Sequence, residues 1–102
     1  MHKEFYNKVA EILASENVKP DGEYGVYEGK KIHFSWLTAA VGLRMLGLFP
    51  TLREALSFMG VGMDFDAREK FSFSDPEMKT DPVADRNALK SWDFYKARCK
   101  AK

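Results

Sequence analysis

Residues 32–63 form a block that is almost free of charge. Only Arg44, Arg53 and Glu54 are charged among its 32 positions, so 28 of the chain's 31 charged residues (16 basic and 15 acidic) lie outside it. Charged side chains are the ones least often buried, and their scarcity here predicts that this block supplies the core of the fold. Arg44 interrupts its longest apolar run short of the roughly 18 uncharged residues that a membrane span needs. We therefore expect a buried core and not a membrane segment.

The composition is typical of one folded domain over residues 1–102, with 45% hydrophobic and 30% charged residues. The net charge of +1 provides no overall attraction to nucleic acid or to an anionic membrane. Cys99 is the only cysteine, which excludes an intrachain disulfide and a structural zinc site built from thiolates. We therefore expect a cytoplasmic protein from a reducing compartment, without a cofactor or a metal.

Apolar spacing and capping residues predict four helices and one β-hairpin. The helices are expected at residues 4–16, 36–48, 52–59 and 83–100, and the hairpin strands at 23–28 and 31–34. Ser35 is expected to cap the second helix, and Thr51 with Glu54 forms a capping box for the third. Residues 64–82 are expected to be rich in loops. The predicted fold is a small, mostly helical α+β domain in the order helix, β-hairpin, helix, helix, irregular segment, helix.

The predicted helix at residues 36–48 is apolar almost all round, which indicates burial on most sides. Gly42 and Gly47 each lower its helix propensity by about 1 kcal/mol in an interior position. Their presence predicts that neighbouring backbones approach this helix closely. We expect the first and last helices and the hairpin to pack around it.

Few residues are available for catalysis. His33 and Ser35 lie on the same face of the chain, but no acidic residue near them in the sequence can orient the imidazole. His33 is therefore expected to be an outward-facing strand residue. Cys99 lies in the last turn of a helix, where the negative end of the dipole opposes thiolate formation. A calcium loop starting at Asp64 would need glycine at its sixth position, where Glu69 stands instead. We expect that the chain is not an enzyme.

The two helices on either side of residues 49–50 carry the most specific motif. Residues 46–48, 51–52, 56 and 60–61 read Leu-Gly-Leu, Thr-Leu, Leu and Gly-Val. This pattern resembles the second half of a helix-turn-helix unit of the inversion-stimulation-factor type, although its turn is one residue shorter. The resemblance implies a nucleic-acid-binding protein with residues 51–59 as the recognition helix.

Four basic residues would carry this alternative function. Arg53 is the only long basic side chain of the implied recognition helix, where it stands beside Glu54. Phosphate contacts would come from the basic last helix, through Lys90, Lys96 and Arg98. Nucleic-acid binding is thus the alternative to protein binding, which the aromatic residues indicate.

Aromatic residues make up 14% of the chain, and five methionines accompany them. A domain of this size cannot bury all of them, and aromatic and methionine side chains are enriched at protein interfaces. The expected contact residues are the aromatics of the hairpin and of the segment after the third helix: Tyr24, Tyr27, Phe65, Phe71 and Phe73. We therefore predict a non-enzymatic protein-binding module, either a homodimer or a small inhibitor or assembly factor of the phage type.

Overall fold

The computed structural model describes residues 2–62, 66–71 and 82–101, and it confirms the predicted α+β class. The described residues form four helices and one antiparallel sheet of three strands, whose order follows the sequence. The helices are α1 (His2–Ser15), α2 (Phe34–Met45), α3 (Leu52–Phe58) and α4 (Pro82–Lys100). The strands are β1 (Lys19–Asp21), β2 (Tyr24–Tyr27) and β3 (Lys30–His33).

Helix α1 ends because Asn17 adopts the left-handed conformation, with φ of 60°. The Asn17 N–H then donates to Ala14 O at 3.0 Å, and the Val18 N–H to Leu13 O at 3.1 Å. This is the Schellman pattern of helix termination, in which Val18 and Leu13 also pack as a buried apolar pair. The predicted end of this helix near Asn17 is confirmed, and the backbone of Asn17 is its cause.

The predicted hairpin is formed by β2 and β3, with Tyr24 opposite His33 and Tyr27 opposite Lys30. Its two loop residues, Glu28 and Gly29, both have positive φ (52° and 80°), which is typical of a type I′ turn. Gly25 and Tyr27 are buried, whereas Tyr24 and Val26 are half-buried. The sheet has a third strand, β1, which pairs with β2. The sequence did not predict this strand, because three residues with Pro20 at the centre carry little strand signal.

Helix α2 begins two residues before its predicted start and ends three residues before its predicted end. Its N-cap is His33 and not Ser35, since the His33 imidazole accepts a hydrogen bond from the Ser35 N–H. The helix stops because Gly47 adopts φ of 78°, and the Gly47 N–H donates to Arg44 O at 2.9 Å. Leu46 and Leu48 therefore lie beyond the helix, where both are exposed.

Helix α4 packs across α1 and α2 and closes the core. Its buried face carries Ala88, Ser91, Trp92 and Tyr95, whereas Leu89 is exposed. The indole N–H of Trp92 donates to Gly22 O at 2.9 Å, and the Tyr95 hydroxyl donates to Val18 O. These two bonds join α4 to the chain on either side of β1.

Candidate protein-binding groove

An apolar groove of about 720 Å³ lies between the four helices. Ala39, Gly42 and Leu43 of α2 form its floor, and the helices around it supply the walls. The wall residues are Phe5 and Val9 from α1, Phe58 and Met59 from α3 and its cap, and Ala88 and Ser91 from α4. This volume falls in the range of binding pockets, which is roughly 300–1,000 Å³. The expectation that α2 is buried on most sides is therefore wrong along the groove.

The rim of the groove exposes large apolar side chains. Leu46 is 72% exposed and Phe58 is 71% exposed, and Phe5 and Met45 are also exposed at the rim. Leu48 follows Leu46 by two residues and is 62% exposed. Burying such side chains against a partner is favourable, and contiguous exposed apolar surface of this kind marks contact sites.

Of the three polar side chains among the described residues that line the groove, those of Thr38 and Ser91 have partners inside the protein, whereas Asn87 is exposed. The Thr38 hydroxyl donates to Phe34 O at 2.9 Å, and the Ser91 hydroxyl donates to Asn87 O at 2.8 Å. No charged side chain lies among the described residues that line the groove. The groove can therefore accept apolar groups without leaving these two hydroxyls unpaired.

Gly42 keeps the groove open instead of bringing helices together. A Cβ atom added to Gly42 would meet no heavy atom within 4 Å. The same is true of Gly47, whose positive φ explains its presence at the end of α2. The expectation that these two glycines allow close backbone contact is therefore wrong.

Phe71 lines the groove because residues 66–71 are held against β3 and α2. The His33 N–H donates to Ala67 O at 2.7 Å, and the Trp36 indole N–H donates to Glu69 O at 2.7 Å. The rings of Trp36 and Phe71 then pack with their centroids 4.9 Å apart. Of the aromatic residues predicted to contact a partner, the structure describes Tyr24, Tyr27 and Phe71, and of these three Phe71 lines the groove.

The prediction that Tyr27 is an exposed contact residue is wrong, since it is 3% exposed. Its hydroxyl donates to Glu16 Oε1 at 3.3 Å and accepts a hydrogen bond from the Arg53 N–H at 3.1 Å. Burial, assisted by the charges of Glu16 and Glu28, raises the pKa of Tyr27 to about 12. Tyr27 thus helps to hold the first turn of α3 in place.

The other predicted contact residues lie apart from the groove or outside the described residues. Tyr24 is half-buried, and its ring packs edge-on against His33 with centroids 5.8 Å apart. Phe65 and Phe73 lie outside the described residues. Leu46 and Phe58 were not among the contact residues predicted from the sequence. For Phe58 a signal existed, because it falls off the stripe of Leu52, Ala55 and Leu56 that α3 buries.

The basic residues of the nucleic-acid hypothesis do not form one free surface. Arg53 is paired with Glu28, with Nε to Oε1 at 3.0 Å and Nη2 to Oε2 at 2.6 Å. This double hydrogen bond raises the pKa of the Arg53 guanidinium. On α4, Lys96 pairs with Asp93 at 3.5 Å, while Lys90 and Arg98 are exposed. Nucleic-acid binding through these residues stays a prediction.

His33 is buried, so the expectation that it faces outward is wrong. Its Nδ1 lies 2.7 Å from Ser35 Oγ, and its Nε2 lies 3.9 Å from a carboxylate oxygen of Glu23. These three residue types also occur in hydrolases, but Ser35 is 1% exposed and its hydroxyl accepts the Phe71 N–H at 2.7 Å. Neither side chain lines the groove. The arrangement caps α2 and anchors residues 66–71.

The remaining candidates for a catalytic or metal-binding role, Asp66 and Cys99, also make structural contacts. Asp66 accepts hydrogen bonds from the Lys31 N–H and the Arg68 guanidinium, and these bonds lower the pKa of its carboxyl group. Cys99 is partly buried against the core, as expected of a packing residue. Among the described residues, no group of three or more histidine, cysteine, aspartate or glutamate side chains is arranged to hold a metal ion.

No protein-family model, curated protein sequence or solved structure matches this chain significantly. In the part of the chain that the structure describes, no helix is both long and apolar enough to cross a membrane.

Proposed function

We propose that this chain is a non-enzymatic protein-binding module that receives protruding apolar side chains of a partner protein in the groove. The observation that carries the proposal is the combination of an apolar floor at Ala39 and Gly42 with exposed side chains at the rim, above all Leu46 and Phe58. Hot spots of protein interfaces have this character, with large anchors that enter apolar pockets and lose their contact with water.

The satisfied hydroxyls of Thr38 and Ser91 support a protein partner over a polar small molecule. Small-molecule sites place a few free polar groups to fix the orientation of the ligand. In the groove these two hydroxyls are already bonded to backbone carbonyls of their own helices. Recognition would rest mainly on shape and apolar area, with the exposed Asn87 as the remaining polar group of the lining. An inhibitor or assembly factor acting in the cytoplasm would suit such a surface.

Site-specific photocrosslinking tests the proposal. The photoreactive amino acid p-benzoylphenylalanine replaces Phe58 at the rim of the groove or, in a matched control, Leu89, which is exposed on α4 but does not line the groove. Both variants are irradiated in the cells that naturally produce the chain. We expect adducts whose cross-linked peptides belong to a protein, at a yield at least tenfold higher from position 58 than from position 89.

A second substitution links the adducts to the groove itself. Gly42→Met places a long side chain on the groove floor, where a Cβ atom meets no neighbour. We expect this change to lower the crosslinking yield at position 58 without reducing the thermal stability of the protein. Equal yields from positions 58 and 89, or adducts at position 58 only with lipids or metabolites, would refute the proposed function.

A further inference from the structure

The face that carries the groove offers both projecting apolar side chains and a recess. Leu46 and Phe58 project from the rim, while Ala39 and Gly42 form a low floor beside them. A two-fold axis brings the same patch of two copies together, so that a projection on each copy meets the groove of the other. Because projection and groove belong to one face, such a contact closes after two copies and does not continue into a filament.

The exposed apolar area of this face is close to what a weak dimer requires. A fully exposed large apolar side chain presents roughly 200 Å². Four of the exposed apolar residues line the groove, with exposed fractions of 42% for Phe5, 37% for Met45, 72% for Leu46 and 71% for Phe58. Together they present about 450 Å² per copy, or about 900 Å² for a pair, which is the size of a weak, transient interface.

The charges of the chain do not oppose this contact. The net charge is +1, so two copies repel each other little. The described residues that line the groove are uncharged, which means that a two-fold contact places no like charges opposite each other there. A partner of strongly acidic or basic character would find no complementary charge in the lining.

We infer that the occupant of the groove is a second copy of this chain, in a two-fold dimer in which Leu46 and Phe58 of each copy enter the groove of the other. This inference rests on the proposed function, because it names the partner of the same surface. The interface area indicates a dimer that forms reversibly as the protein concentration rises.

Sedimentation equilibrium over a wide concentration range tests the dimer. The average mass of the wild-type protein is expected to rise from 11.7 kDa towards twice that value and then to stay constant. Phe58→Asp and Leu46→Asp place a charge in the interface and are expected to weaken association at least tenfold. The matched control Leu89→Asp changes an exposed apolar residue that does not line the groove and is expected to associate like the wild-type protein.

A second measurement does not depend on how the aspartate variants fold. A nitroxide spin label is attached through Ser57→Cys, beside Phe58, in a Cys99→Ser background, and the labelled protein is mixed with isotope-labelled wild-type protein. Protons of Leu46 and Leu43 in the isotope-labelled copies are expected to broaden at high concentration and to stay sharp on dilution. Broadening between separate copies reports only intermolecular contact.

The outcomes separate this inference from the proposed function. A protein that stays monomeric at millimolar concentration, or an equal loss of association in Leu89→Asp, would overturn the dimer. The proposed function would survive that result if position 58 still gave groove-dependent crosslinks to a different protein. Self-adducts at position 58 together with a dimer dissociated by Phe58→Asp would support both.

Discussion

Gly25 lies where three buried side chains converge. A Cβ atom there would come within 2.8 Å of Val18 Cγ1 and 3.0 Å of Trp92 Cη2, and it would overlap Leu37 Cδ1. All three neighbours belong to the core, so none can move into open space. Glycine at this position is what allows β2 to lie directly against α2 and α4.

Gly25→Ala is therefore expected to destabilise the protein. Overpacking of a filled core costs about 1–3 kcal/mol in the free energy of unfolding, which urea denaturation measures. The control is Gly42→Ala, where the added methyl group meets no atom and the helix propensity improves. This control is expected to raise the free energy of unfolding by about 0.5–1 kcal/mol. The same sign for both substitutions would contradict this account of Gly25.

His33 makes stability depend on pH between neutral and mildly acidic conditions. Burial lowers the pKa of His33, outweighing Glu23, which acts to raise it; Lys70 lowers it further. In the unfolded chain the imidazole titrates near its usual pKa of about 6.5. The unfolded state therefore binds more protons below that pH. The contribution of His33 to the free energy of unfolding is therefore complete above about pH 6.5, and it decreases as the pH falls towards the folded-state pKa.

His33→Asn is expected to abolish this dependence. The asparagine side-chain oxygen can accept the Ser35 N–H, as the imidazole does, but it does not titrate. Urea denaturation at a series of pH values from 7.5 to about 5.5 compares the two proteins. If both lost the same stability over this range, the titrating group would be a different one.

At the scale of elements, α3 depends on contacts from other parts of the chain. Seven residues are too few for a stable helix in isolation, since about 12–15 are needed. Its first N–H groups are satisfied from outside the helix, with the Leu52 N–H donating to Glu16 Oε2 at 2.8 Å and the Arg53 N–H to the Tyr27 hydroxyl. Thr51 supplies the local cap through the Glu54 N–H. Helix α3, which carries Phe58, is therefore held by Glu16, directly after α1, and by β2.

Glu16→Ala is expected to loosen α3 and with it one wall of the groove. The substitution removes the acceptor for the Leu52 N–H and the partner of Arg44, which lies 3.0 Å from Glu16 Oε2. We expect a loss of about 2–3 kcal/mol in the free energy of unfolding, together with faster hydrogen exchange in α3. Glu11→Ala, an exposed change on α1, is expected to stay within about 0.5 kcal/mol of wild type. Unchanged exchange in α3 of Glu16→Ala would count against this cap.

The elements that the sequence predicts well are those with local signals. The Thr51 cap of α3 is confirmed, because its partner, the Glu54 N–H, lies within one turn. The reciprocal half of the predicted capping box differs, since the Glu54 carboxylate lies 3.5 Å from the Thr51 hydroxyl and does not accept the Thr51 N–H. The start of α2 was misplaced because His33, a less common cap, precedes the expected cap Ser35. Burial of Tyr27 could not be predicted from its neighbours, since the groups that satisfy its hydroxyl are 11 and 26 residues away.

For the whole molecule, the groove is a property of packing that no local pattern contains. The apolar circumference of α2 predicts burial, but α1, α3 and α4 cover it incompletely and leave Ala39 and Gly42 as a floor. The side of α2 that stays open depends on the angles at which the helices cross. Contacts between residues far apart in the sequence determine these angles. The sequence indicated that some aromatic side chains must be exposed, and Phe5 and Phe58 are among them.

The sheet has a consequence for the behaviour of the protein at high concentration. An unpaired strand edge can add strands from other molecules and start fibril growth. Here one edge strand, β1, consists of Lys19, Pro20 and Asp21. Two of these residues are charged, and Pro20 lacks an N–H group. The opposite edge, β3, is covered where Ala67 pairs with Ile32. Protection at both edges keeps β-aggregation from competing with contacts made by the apolar helical face.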